Sequence, residues 1–166
     1  MEKTLYLLGG PMGVGKTATG QALKRLLPAC VYLDGDWCWD ADPFQVTEET
    51  KEMVQENICF LLNQFLRCSA YENVVFAWVL HRQDLLDTLL AALHTEGCRV
   101  RAVSLVCTAA ALRARLEKDV AAGLRQPDVI ARALDYLPLY GPLRTEKLDV
   151  TELSPAQAAV ILRNGA

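Results

Sequence analysis

Residues 10–17 read Gly10-Pro11-Met12-Gly13-Val14-Gly15-Lys16-Thr17, and this octapeptide decides the fold. It fits the pattern G-x-x-x-x-G-K-[ST] completely. Glycines at these spacings let the backbone wrap a phosphate closely and turn several N–H groups inward, which bulkier residues would obstruct. A helix starting near Gly15 points the positive end of its dipole at the same anion. In that geometry Lys16 reaches the β- and γ-phosphates of a nucleotide, and the Thr17 hydroxyl joins a Mg²⁺ shell. Ala18 closes the segment expected to hold the nucleotide. The setting fits as well. The apolar run Thr4–Leu8 ends at Gly9-Gly10, and a helical stretch from about Lys16 to Leu27 stops at Pro28, so the loop lies between a strand and a helix.

Working outward, strand-like and helix-like segments alternate along the chain. Val31–Leu33 reads as a second strand, with Asp34-Gly35-Asp36 at its carboxyl end. Residues 41–46 read as a loop, and Thr47 caps a long helix to about Cys68 whose first turn carries Glu48 and Glu49, as the helix dipole favours. Asn73–Leu80 is almost uninterruptedly apolar, the mark of a central strand covered on both faces. Helices follow over 83–95, 109–122 and about Pro127–Leu137, with strands at Arg99–Val106 and Lys147–Val150 and a last helix at Ser154–Leu162. Such β-α repeats impose crossover connections and hence a parallel sheet. The expectation is one three-layer α/β/α domain over residues 1–166 with a five-stranded parallel sheet, of the P-loop type, and a small helical lid at approximately 109–137.

Composition sets bounds on function. The 166 residues are 52% hydrophobic and 22% charged, which suits one globular domain with a substantial core. Seventeen Lys and Arg stand against 20 Asp and Glu, and this mildly acidic balance counts against binding along DNA or RNA. The longest apolar run, near 74–80, is far too short to cross a bilayer. Six cysteines show no C-x-x-C pair and are expected as reduced thiols, several of them buried. Met1-Glu2-Lys3 runs directly into a strand rather than a signal peptide, so a cytoplasmic chain is expected.

The acid pair Asp34 and Asp36 lies some 18 residues beyond Lys16 and at a strand's carboxyl end, where open α/β sheets gather ligands. Phosphoryl transfer to a hydroxyl needs a group to orient that hydroxyl and accept its proton, and a carboxylate to help place Mg²⁺. Asp36 is the candidate base or acceptor ligand and Asp34 the candidate on the metal side. An Asx turn closing the strand is the structural alternative, since Asp-Gly is a common turn dipeptide. No carboxylate ends the third strand, which argues for a kinase over a motor-type ATPase.

With Gly13 the loop takes the form G-x-x-G-x-G-K-T, and with Leu33-Asp34-Gly35-Asp36 the chain resembles the small-molecule and nucleotide kinases of the P-loop superfamily. It is similar to gluconate, shikimate and adenylylsulfate kinases and to chloramphenicol phosphotransferases. The resemblance implies ATP and Mg²⁺ as cofactors, a small-molecule acceptor, and a soluble monomer or homodimer. It also implies an arginine-bearing lid after the fourth strand. Arg113, Arg115, Lys118 and Arg125 fall there, with Arg115 and Arg125 the candidate catalysts and Arg113 a candidate nucleotide ligand. A solvated helix face, with Glu117 and Asp119 interleaved, is the alternative. The adenine, by the same resemblance, rests around Thr151–Pro155.

On the acceptor side stand Trp37, Trp39 and Phe44, then Trp78 and His81. Trp37 and His81 are candidate acceptor contacts, while Trp78 reads as core. After the acid pair the gluconate and adenylylsulfate groups continue with polar and basic residues, where this chain has Trp37-Cys38-Trp39, so a less polar acceptor is indicated. Two other functions fit the same loop: a nucleotide-binding ATPase switch with no acceptor, and a kinase of nucleic-acid 5′ ends.

Overall fold

The structure, a computed structural model, describes residues 2–165. Five strands form it: β1 (Lys3–Gly9), β2 (Cys30–Asp34), β3 (Asn73–Ala77), β4 (Cys98–Val106) and β5 (Glu146–Asp149). All pair in parallel, in the order β2-β3-β1-β4-β5. The helices are α1 (Lys16–Leu26), α2 (Glu48–Arg67), α3 (Gln83–Ala92), α4 (Ala109–Ala121), α5 (Val129–Tyr136) and α6 (Pro155–Asn164).

Alternation along the strands divides the apolar residues between two cores. Tyr6 and Leu8 point to the face covered by α1, α4, α5 and α6, where Leu23, Leu112, Leu116, Ala133 and Leu162 meet them. Leu5 and Leu7 point the other way, onto Val54, Ile58 and Leu62 of α2 and Leu86 and Leu89 of α3. The expected three-layer α/β/α architecture is therefore the observed one.

Helix ends follow their local chemistry. Thr47 and Thr50 exchange side chain-to-backbone bonds at the start of α2, and Ser154 and Gln157 do the same at α6, where Pro155 takes the first position. At the far end of α2, the Lys3 ammonium donates to the carbonyls of Phe65, Leu66 and Cys68 at 2.7–3.2 Å, fixing that helix against β1. At the other edge Arg101, 4% exposed, donates to Glu146 of β5 and to the Leu162 carbonyl of α6.

Three expectations need correction. The third strand ends at Ala77 rather than Leu80, because the chain bends around the end of β1. The Trp78 N–H donates to Leu8, the Val79 carbonyl accepts from Gly10 and from the Tyr140 hydroxyl, and Leu80 takes a positive φ of 37°. A 3₁₀ turn over Gly35–Trp39 stands where no element was expected. Among the described residues every cysteine is half-buried, none of them a core residue, because all six sit at strand ends or on helix flanks.

Candidate active site

The loop from Gly10 to Gly15 leaves the carboxyl end of β1, the central strand, and runs into α1. Its tight path has a measurable requirement at Gly13, where φ is +83° and an added Cβ would lie 2.4 Å from Leu116 of α4. Only glycine fits, so the loop and α4 are in direct contact. Pro11 and Val14 are buried, Met12 is half-buried, and Thr17 and Ala18 are exposed at the start of α1. The Lys16 ammonium folds back onto the loop, donating to the carbonyls of Gly10 and Pro11 at 2.8 and 2.9 Å. Burial lowers its pKa to about 8, with Asp36 and Asp34 opposing that shift and Arg125 adding to it.

Asp34, 7% exposed, is the most heavily bonded carboxylate of the site. Its Oδ2 accepts from the Thr17 hydroxyl at 2.9 Å and from the Tyr32 hydroxyl at 3.1 Å, and its Oδ1 accepts from the Asp36 N–H at 3.0 Å. The turn expected of Asp-Gly-Asp is present, capped by Asp34, which faces Thr17 at the same time. Gly35 is required by close approach, since a Cβ there would stand 2.4 Å from the Trp78 indole. Trp78 is buried, as expected of a core residue.

Asp36 opens onto solvent at the rim of this cluster. The protein crowded around it pushes its carboxyl above the ordinary range, Asp34 pushes the same way, and Lys16, Trp78 and Arg125 pull it back. Those shared influences put Lys16, Asp34, Asp36 and Arg125 in one electrostatic neighbourhood. Arg125, on the turn after α4, also donates to Asp119 at 3.3 Å.

The oxygen set suits Mg²⁺. A threonine hydroxyl beside a carboxylate is the hard-oxygen chemistry this ion takes, and here the Thr17 hydroxyl donates to Asp34 Oδ2 at 2.9 Å. Among the described residues no three His, Cys, Asp or Glu side chains form a cage for a metal.

Arg115 is placed differently from the lid expectation. Its guanidinium donates to the Val14 carbonyl at 3.1 Å and to the Val150 carbonyl at 2.6 Å, joining the phosphate loop to the loop after β5. These carbonyls hold it because it lies on the inner side of α4, while Arg113 is exposed on the outer side. Beside Arg115 is a cavity of about 130 Å³ lined by Val14, Thr19, Val150, Leu153, Ser154 and Pro155. Leu153, Ser154 and Pro155 fall in the stretch expected near the adenine, while Val14, Thr19 and Arg115 join them only through tertiary contact.

On the other flank the aromatic residues form a chain of edge-to-face contacts. Trp39 meets Phe44 with ring centres 4.9 Å apart and Trp78 at 6.2 Å, and Trp37 meets Tyr32 at 5.4 Å. Trp37 and Phe44 are 57% and 55% exposed. His81 stacks on Tyr136 of α5 at 4.8 Å and 12°, and its Nδ1 is the one buried side-chain polar atom without a partner among the described residues. Burial, assisted by Arg82, lowers the His81 pKa, which favours the neutral imidazole.

A glycine-rich loop between the central strand and a helix, a half-buried lysine folded onto that loop, and a Thr–Asp oxygen pair define a nucleotide-binding P-loop protein. The family described as AAA domain matches residues 7–125, and the chain belongs to it. No curated protein matches in sequence. Among solved structures the chain is similar to the tunicamycin resistance protein of Deinococcus radiodurans, at 19% identity over 99% of this chain and 96% of that one, with a TM-score of 0.70. A gluconokinase from Sinorhizobium meliloti matches at 19% identity over 97% and 92%, with a TM-score of 0.66. A shikimate kinase from Acinetobacter baumannii, in complex with shikimate, matches at 20% identity over 99% and 96%, with a TM-score of 0.60. At these identities the likeness is one of fold. No described helix is long and apolar enough to cross a membrane.

Proposed function

We propose that the protein is an ATP-dependent phosphotransferase that passes the γ-phosphoryl group of ATP to a hydroxyl of a small molecule. The observation that carries this reading is the convergence of Lys16, the Thr17–Asp34 pair, Asp36 and Arg125 at the carboxyl end of the sheet. The kinase neighbours agree with it. Residues Gly10–Ala18 hold the phosphates, and Lys16 exchanges the carbonyls of its own loop for phosphate oxygens. Thr17 and Asp34 hold Mg²⁺, which neutralises charge on the phosphates when bound. Arg125 supplies positive charge to the transferring group. Asp36, its proton affinity raised by its surroundings, orients the acceptor hydroxyl and takes its proton as the new P–O bond forms and the bond to ADP breaks. The cavity beside Arg115 takes the base, with the guanidinium and Pro155 as its walls.

The acceptor side favours an uncharged or weakly polar substrate. Between residues 34 and 60 there are eight carboxylates and a single cation, Lys51, which pairs with Glu48 at 3.2 Å. Arg82, just before α3, is paired with Asp84. An anionic acceptor would meet repulsion there, whereas the exposed faces of Trp37 and Phe44 suit a flat apolar surface. His81, stacked on Tyr136 just past β3, is the second acceptor contact in this reading.

The test is ADP release from ATP·Mg²⁺ in the presence of pooled sugar acids, nucleosides, nucleotides, shikimate-like acids and hydroxylated antibiotics. Stimulation by an uncharged pool is expected. It should fall about 10²- to 10⁴-fold in Asp36→Asn, the usual contribution of a general base, with ATP binding retained. Stimulation that survives in Asp36→Asn would remove Asp36 as the base.

A further inference from the structure

We infer that Tyr32 is a positioning residue for the Mg²⁺ site, and that α1 carries Gly20 in order to seat it; the inference rests on the proposed role of Asp34 and Thr17. Tyr32 lies on β2, two residues before Asp34, so both side chains leave the same face of the strand. Its hydroxyl donates to Asp34 Oδ2 at 3.1 Å, the oxygen that also accepts from Thr17. That oxygen is thereby held from two sides.

Helix α1 is shaped around this ring. Gly20 is a mid-helix glycine with no positive φ, so its own backbone does not require it. A Cβ at position 20 would stand 2.4 Å from Tyr32 Cε2. The helix accepts its weakest ordinary residue at the point where the ring passes. Trp37 closes the ring's far side, edge-on at 5.4 Å. An aromatic ring wedged between a helix notch and an indole, with its hydroxyl on a metal-side carboxylate, has a fixed reach. Groups in this relation to a metal ligand commonly change metal affinity by 10- to 100-fold when removed.

The experiment measures ATP binding by calorimetry in EDTA and across a Mg²⁺ titration, with no acceptor present, for the wild type, Tyr32→Phe and Gly20→Ala. Tyr32→Phe keeps the ring and removes the hydroxyl. It should leave binding in EDTA within twofold of wild type and raise the Mg²⁺ concentration for half-maximal enhancement about tenfold. Gly20→Ala improves helix propensity while displacing the ring, and should shift the Mg²⁺ requirement the same way with the hydroxyl still present. A Mg²⁺ titration unchanged in both variants overturns the assignment to Tyr32. So does a lowered requirement, which would make the hydroxyl a competitor of the metal. A wild-type protein whose ATP binding ignores Mg²⁺ overturns the metal reading of Thr17 and Asp34 beneath it.

Discussion

The two flanks of the site differ in how their polar groups are engaged. On the phosphate side the protein bonds to itself: Lys16 rests on two carbonyls of its own loop and Asp34 accepts three hydrogen bonds. On the acceptor side Trp37 and Phe44 face solvent and the His81 Nδ1 has no partner. In the proposed function the first flank exchanges these internal bonds for ligand bonds, so its geometry is set in advance. The second has exposed aromatic surface to spare, so its preferences follow whatever molecule covers it.

That contrast can be broken most directly at Lys16. Lys16→Ala removes a charged donor to phosphate, and should weaken ATP binding about a hundredfold and abolish thermal stabilisation by ATP. An unchanged thermal shift would end the assignment of residues 10–17.

A smaller effect comes from pH. In the free protein Lys16 has a pKa of about 8 against 10.5 for an ordinary lysine, so the folded state disfavours its charge. Below pH 8 this costs the free protein stability, and the cost disappears as pH rises from 8 towards 10.5. Bound phosphates favour the ammonium, so ATP binding should take up a proton above pH 8 and weaken about tenfold between pH 7 and 9. Calorimetry in buffers of different ionisation heat measures this; no proton uptake at pH 8.5 would show that Lys16 is already fully charged in the free protein.

The smallest change expected is on the open flank. Trp37→Ala should raise the KM for the acceptor about fivefold through lost stacking, leaving the Kd for ATP within twofold. A loss confined to ATP binding would place Trp37 in support of Tyr32 alone and sharpen the division between the flanks.

The sequence was legible wherever the backbone restricts residue identity. Residues 10–17 could be read because a loop passing this close to Leu116 and to a phosphate admits few alternatives to glycine. The strands and helix caps followed from periodicity and from Thr47 and Ser154. Asp34 was legible as a candidate, but its bond to Tyr32 was not, since nothing in the linear chain says that a buried tyrosine's hydroxyl turns towards the site. Arg113 and Arg115 look alike in sequence and are separated only by the direction each takes from α4. The end of β3 was misjudged because Trp78-Val79-Leu80 is as apolar as the strand before it, while its backbone bonds to Leu8, Gly10 and Tyr140.

The Arg115 bridge has a consequence for anyone redesigning this protein. One guanidinium grips the phosphate loop through Val14 and the wall of the base cavity through Val150. Selection for a different nucleobase at that wall will pull on the loop that grips the phosphates, so altered base choice and altered turnover should arrive together. Variants that separate the two traits would have to begin with a second residue taking over one end of the bridge.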